Sequence, residues 1–144
     1  MSNLLFVYGT LMADFDSAMA RFLKDRAQFL GEGKVRGGLI DLGQYPGLVP
    51  GLPAPNGVRG HIFAMEDPGF LLDTLDAYEG IDPFRPQESE YRRELLEVER
   101  EEGARLCWAY VYQGKFDGLP LIPFDYYPDF VRQAPAHRRF LRPG

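Results

Sequence analysis

Between residues 31 and 57 the chain carries eight glycines and four prolines, a density that excludes any long helix. That stretch must be built from short extended pieces and turns. Gly38 to Leu42 and Leu48 to Val49 are the predicted extended pieces, with Gln44-Tyr45-Pro46-Gly47 as a proline-containing turn. On the N-terminal side, Leu4 to Val7 is a compact apolar strand that ends at Tyr8-Gly9-Thr10, where glycine permits a tight turn. On the C-terminal side, Val58 to Glu66 alternates as a strand does. Tyr91 to Arg100 and Ala104 to Gln113 pair as a hairpin across Glu101-Glu102-Gly103, with Leu106, Trp108, Tyr110 and Tyr112 on a single face.

Helical spacing occurs twice. Phe15, Ala18, Met19, Phe22 and Leu23 predict a helix from about Phe15 to Arg26, capped by Asp14 or Asp16. The second helix is better delimited: Asp67 as cap, Pro68 in the first turn, Leu71, Leu72, Leu75 and Tyr78 on one face, and Gly80 as the stop. Strands dominate and do not alternate regularly with helices, which disfavours a doubly wound parallel sheet. The expected class is α+β, a small mixed β-barrel or strongly curved sheet with flanking helices. At 144 residues and 45% hydrophobic composition, residues 1–144 suit one domain. Residues 114–144, with five prolines, the Tyr126-Tyr127 pair and the basic residues Arg132, Arg138, Arg139 and Arg142, are expected to pack on that domain or on a partner subunit.

Charge and cysteine usage narrow the function. A net charge of −5 and a pI near 5.0 argue against a nucleic-acid partner. One cysteine and two histidines cannot assemble a Cys/His zinc cluster, so no cofactor is expected, although a carboxylate-based metal site stays open. No apolar run reaches membrane-spanning or signal-peptide length, and the expected setting is soluble and cytoplasmic, with no membrane partner. Cys107, inside an apolar strand next to Trp108, reads as an inert core thiol, and His61 and His137 read as structural or solvated.

Two features carry chemistry. Glu79 ends the second helix, where the negative end of the helix dipole and the like charge of Asp76 both raise its pKa. A pocket at that end would raise it further; a solvated helix-end glutamate is the other reading. The loop Tyr8-Gly9-Thr10-Leu11 leaves a buried strand with a small residue at its second position, and successive peptide N–H groups there can form a concavity for a carboxylate or an oxyanion.

Taken together, Tyr8-Gly9-Thr10-Leu11, Gly43-Gln44-Tyr45-Pro46-Gly47, Val58-Arg59-Gly60, Leu75-Asp76-Ala77-Tyr78-Glu79-Gly80 and Tyr91-Arg92-Arg93 resemble, in order, the gamma-glutamylcyclotransferase-like family. The likeness is to its gamma-glutamylamine cyclotransferase and AIG2-like branch. The resemblance implies a small mixed β-barrel with helices outside it and no cofactor. It also implies a small γ-glutamyl substrate whose α-amine attacks its own γ-amide, releasing 5-oxoproline and an amine or amino acid. Residue by residue, Glu79 corresponds to the catalytic acid/base, Tyr8, Gly9, Thr10 and Leu11 to the loop holding the glutamyl end, and Tyr91 to a cavity-lining aromatic. Where many relatives continue with a basic residue, a glycine and an asparagine, this chain has Met12-Ala13-Asp14-Phe15-Asp16. The alternative expectation is a module that binds a small carboxylate or amino-acid-like ligand without turnover, and the sequence leaves a homodimer open without requiring one.

Overall fold

The computed structural model describes residues 2–141; Arg142 of the basic tail lies outside them. Its main sheet is assembled around β1 (Leu4–Val7), whose four residues are all buried. On one side β1 pairs antiparallel with β5 (Val58–Met65), from Leu4 opposite Ala64 to Val7 opposite His61. On the other it runs parallel to β7 (Arg105–Tyr112), with Leu5 opposite Trp108. β2 (Ala27–Val35) flanks β5 and β6 (Tyr91–Val98) flanks β7, giving the order β2-β5-β1-β7-β6. A mixed sheet results.

The sheet curls until its two edges meet at one place, where the Lys34 and Glu99 backbones exchange hydrogen bonds of 3.0 and 2.8 Å. Of the two expected forms the strongly curved sheet is the one found: it is curled and bridged at one point, not closed along its edges as a barrel would be. β5 is buried on both faces, including Ile62 and Phe63, and lies between β2 and β1. A second, two-stranded sheet pairs β3 (Gly37–Asp41) with β4 (Pro46–Pro50).

Helix α2 (Pro68–Tyr78) follows its predicted boundaries. Asp67 accepts from the Phe70 amide, Pro68 opens the first turn, and Leu71, Leu72 and Leu75 are buried. Its end is a Schellman turn, with Ile81 N donating to Asp76 O at 2.9 Å and Gly80 N to Ala77 O at 3.1 Å. Gly80 takes φ +76° there, which a side chain would resist.

Helix α1 (Ala18–Arg26) starts three residues later than the spacing predicts. Ser17 is its cap, accepting from Ala20 N at 3.2 Å; the Phe15 amide is instead held in a turn by Met12 O. The predicted turn at 44–47 is displaced upstream. Pro46 and Gly47 belong to β4, and the chain reverses between Leu42 and Tyr45, whose backbones bond at 3.0 Å. β2 was not foreseen at all, because an edge strand with two glycines, a bulge between Phe29 and Gly31 and an exposed face has no clean alternation.

The C-terminal region forms two short helices, α3 (Tyr127–Val131) and α4 (Pro135–Phe140). A buried chain of hydrogen bonds ties them to β3. The Tyr127 hydroxyl lies 2.6 Å from His137 Nδ1, and His137 Nε2 lies 2.7 Å from Asp41 Oδ1. Tyr127 is fully buried and His137 nearly so, while Asp41 is partly exposed and also accepts from the Gly43 amide at 2.8 Å, so loss of the imidazole strands the Tyr127 hydroxyl in a region water does not reach. His137→Ala is therefore expected to cost about 3 kcal/mol in urea unfolding. A variant as stable as the parent would remove this chain of bonds from the attachment of the tail.

Candidate active site

The end of β1, the end of α2 and the start of β4 converge on one cavity of about 240 Å³. Gly9 lies flat against Pro46: a Cβ built on it would sit 3.0 Å from Pro46 Cγ, so a larger residue would push the loop off β4. Met12 N closes the turn on Gly9 O at 3.1 Å. Among the described residues, the amides of Gly9, Thr10 and Leu11 donate to no protein group. These are donors held in place and unspent.

The tyrosines around this loop have their hydroxyls committed elsewhere. Tyr8 donates to Tyr110 O at 2.7 Å and accepts from Leu48 N at 3.3 Å. Tyr91 donates to Pro46 O at 2.6 Å. Tyr110 donates to Asp76 Oδ1 at 2.6 Å, and Tyr45 to Glu90 Oε1 at 2.7 Å. What Tyr8 and Tyr91 turn toward the cavity is ring surface. Burial, reinforced by the charge of Glu79, pushes the Tyr8 hydroxyl far above its ordinary range, and burial does the same to Tyr91; neither ionises as a base near neutrality.

Glu79 caps the C-terminus of α2 and lines the same cavity. Burial first, then the charge of Glu90, then that of Asp76 push its carboxyl from about 4.5 up to about 7. The sequence reading contained Asp76 but neither the dominance of burial nor Glu90, which comes from the loop before β6. Asp76 is itself paired, with Arg93 Nε 3.1 Å from its Oδ1. None of the described residues lining the cavity is Lys or Arg, so no cation pulls the Glu79 pKa back.

All six predicted site residues, Tyr8, Gly9, Thr10, Leu11, Glu79 and Tyr91, line this one cavity. Sequence reasoning missed Tyr110, Pro46, Tyr45 and Phe140, which line it too. Tyr110 stood on the aromatic face of β7 and Tyr45 in a quoted motif, so a signal existed for both; Phe140 lies in a segment without periodicity. Cys107 is buried, with its thiol pushed up to about 11 by burial. His61 is buried as well and fastens the segment after the loop. Its Nδ1 accepts from Ala13 N at 3.1 Å, which leaves the ring proton on Nε2, 3.2 Å from the Tyr126 hydroxyl; that hydroxyl donates to Asp14 Oδ1 at 2.8 Å. Burial lowers the His61 pKa against the opposing charges of Asp14 and Glu32, consistent with a neutral acceptor. Among the described residues no group of three or more His, Cys, Asp or Glu is placed to hold a metal ion. None of the described helices is long and apolar enough to cross a membrane.

Comparison with known proteins places these features in one family. Residues 5–129 match the family model described as gamma-glutamyl cyclotransferase, AIG2-like. The chain is 35% identical over 120 residues to the gamma-glutamylcyclotransferase family protein YtfP of Escherichia coli K12, covering 82% of this chain and 89% of that one. The solution structure of Escherichia coli ytfP superposes with a TM-score of 0.59 at 33% identity, over 88% of this chain and 96% of the other. The crystal structure of an AIG2-like protein from Mus musculus superposes with a TM-score of 0.61 at 24% identity, over 84% and 86% of the two chains, which speaks for the fold alone.

The electrostatics of Glu79 have a measurable sign. Its folded pKa is raised, so the stability tied to its protonated form is full below about pH 4.5 and is lost as pH rises through about 7. Glu79→Gln should leave stability unchanged at pH 4. At pH 8 it should raise stability by about 2 kcal/mol, a figure reduced from the full shift for the residual exposure of the residue. Chemical denaturation at both pH values measures this, and equal effects at the two would mean that the carboxyl is solvated.

Proposed function

The chain belongs to the gamma-glutamyl cyclotransferase, AIG2-like family, and from that membership we propose that it cyclises a γ-glutamyl amide to 5-oxoproline with Glu79 as general acid/base. In this reaction the substrate supplies its own nucleophile. Its neutral α-amine attacks the γ-carbonyl carbon, the new C–N bond closes a five-membered ring, and the amide C–N bond breaks. One proton leaves the attacking nitrogen, passes to the ionised Glu79 carboxylate and is returned to the departing nitrogen. The products are 5-oxoproline and a free amine.

The chemistry asks for orientation and for proton transfer. The observation that carries the reading is the meeting of an uncompensated carboxyl with a pKa near 7 and the unspent amides of Gly9, Thr10 and Leu11 in one cavity. A carboxyl poised near neutrality can both take and give a proton at working pH. The three amides suit the α-carboxylate of the glutamyl end or the oxyanion of the tetrahedral intermediate, and the flat wall formed by Tyr8 and Tyr91 favours the folded-back chain that ring closure requires. Because the amides belong to the backbone, Gly9 contributes through the close approach it allows to Pro46.

A panel of γ-glutamyl amides and peptides, assayed for 5-oxoproline, tests the proposal. The kcat/KM should fall as pH drops below about 7, since the proton acceptor of the free protein must be ionised. Glu79→Gln should lower kcat by about 10²-fold or more while leaving the affinity for 5-oxoproline within a few-fold. Undiminished release by that variant would remove Glu79 from its role; ligand binding with no product from any substrate would favour the binding-module reading.

A further inference from the structure

The cavity has a polar floor and an aromatic rim. Glu79 and the Gly9 to Leu11 amides occupy the floor, among the buried Tyr8, Tyr91 and Tyr110. At the rim stand Tyr78 at the end of α2, whose hydroxyl lies 3.5 Å from Thr10 Oγ1, and, apart from that hydroxyl, Tyr45 from the β3–β4 turn and Phe140 from α4, with ring centroids 5.4 Å apart and planes at 46°. Phe140 is 43% exposed, as a side chain at a mouth should be. The Tyr45 hydroxyl is already taken by Glu90, so its ring is what a ligand meets.

We propose that Tyr45 and Phe140 form the subsite for the departing group, and that this group bears an apolar ring, as an amine of the arylalkyl class does. The proposal rests on the cyclotransferase reading for the direction in which the ligand lies: the glutamyl end sits on the floor, and the amine leaves through the rim. Chemistry at the rim then decides the class. A leaving amino acid would bring a second carboxylate to a cavity with no Lys or Arg among its described lining residues and with Glu79 in its wall, its pKa itself raised by the charges of Glu90 and Asp76 as well as by burial. That carboxylate would be desolvated and repelled. An apolar ring, by contrast, exchanges water for two aromatic surfaces at offset-stacking distance.

The rim is also fixed in place. Three residues before Phe140, His137 bridges Tyr127 and Asp41, so α4 arrives with its orientation set. The family match ends at residue 129, eleven positions short of Phe140. The floor therefore comes from the shared part of the chain and half of the rim from a segment beyond it, which is where a selectivity peculiar to this chain is expected.

Amides of glutaric acid, which lack the α-amine and cannot cyclise, separate binding from chemistry. By calorimetry the benzylamide should bind about tenfold tighter than the methylamide, the gain expected from burying one ring. Phe140→Ala should bring that ratio close to one and Phe140→Leu should leave it intermediate, both with melting curves like that of the parent. Four results would overturn the proposal: equal affinities in the parent, a ratio unchanged in Phe140→Ala, tighter binding of the carboxymethyl or aminopropyl amide, or no binding of any of them. The matching γ-glutamyl amides, assayed for 5-oxoproline, keep the two readings apart. Selective binding without product leaves the subsite standing and removes the cyclotransferase, whereas equal turnover of all four amides removes the subsite alone.

Discussion

A carboxyl group without a compensating cation is the constraint around which this molecule is arranged. Glu79 ends a helix at its unfavourable pole for an anion, faces two further acids, and is surrounded by hydroxyls that donate elsewhere. In an ordinary core such a group would be replaced by something apolar. Here the neighbourhood withholds relief in a specific way. The guanidinium of Arg93 is spent on Asp76 and stacks over Trp108 at 4.7 Å. The same contact that clamps the helix end to β6 and β7 thus keeps a cation off Glu79.

The tyrosines that decline to solvate Glu79 have another task. Tyr8 and Tyr91 both reach from the main sheet to the β4 backbone, one accepting from Leu48 N and the other donating to Pro46 O. The small sheet has no strand pairing with the large one, so these hydroxyls and the packing around them set its position. Because both bonds are buried, breaking either leaves an unpaired backbone group as well as a lost bond. The cavity wall and the inter-sheet joint are therefore the same residues, and the wall has little freedom to move.

The sequence was legible where a local rule decides the structure. α2 was placed almost to the residue because Asp67, Pro68 and Gly80 act within one turn of themselves, and β1, β5 and the β6–β7 hairpin followed from apolar runs and alternation. The loop and Glu79 were legible through ordered motifs. What escaped is set by distance along the chain. β2 exists because β5 offers it a ladder, and its own alternation is too weak to announce it. The tail helices are stabilised by a hydroxyl, an imidazole and a carboxylate at positions 127, 137 and 41, which no periodicity connects. Glu90 acts on Glu79 from a loop eleven residues away, and Ser17 won the α1 cap because Asp14 was drawn to Tyr126 and Asp16 to Arg21.

The missing cation gives the empty cavity a property that a filled one would lose. In the proposed reaction a γ-glutamyl ligand arrives as an α-ammonium, which sheds one proton to become the neutral amine that attacks, and with its carboxylate on the Gly9 to Leu11 amides it would bring that positive charge into the space beside Glu79. An opposite charge at close range favours the ionised carboxyl, so the pKa that burial had raised falls as the ligand enters. The base is then deprotonated in the presence of the amine whose proton it must take, and protonated much of the time without it. An arginine beside Glu79 would have satisfied the site in the resting protein at the expense of this response. On this account the lack of a counter-ion is a condition for the chemistry, and the Asp76–Arg93 pairing is what maintains it.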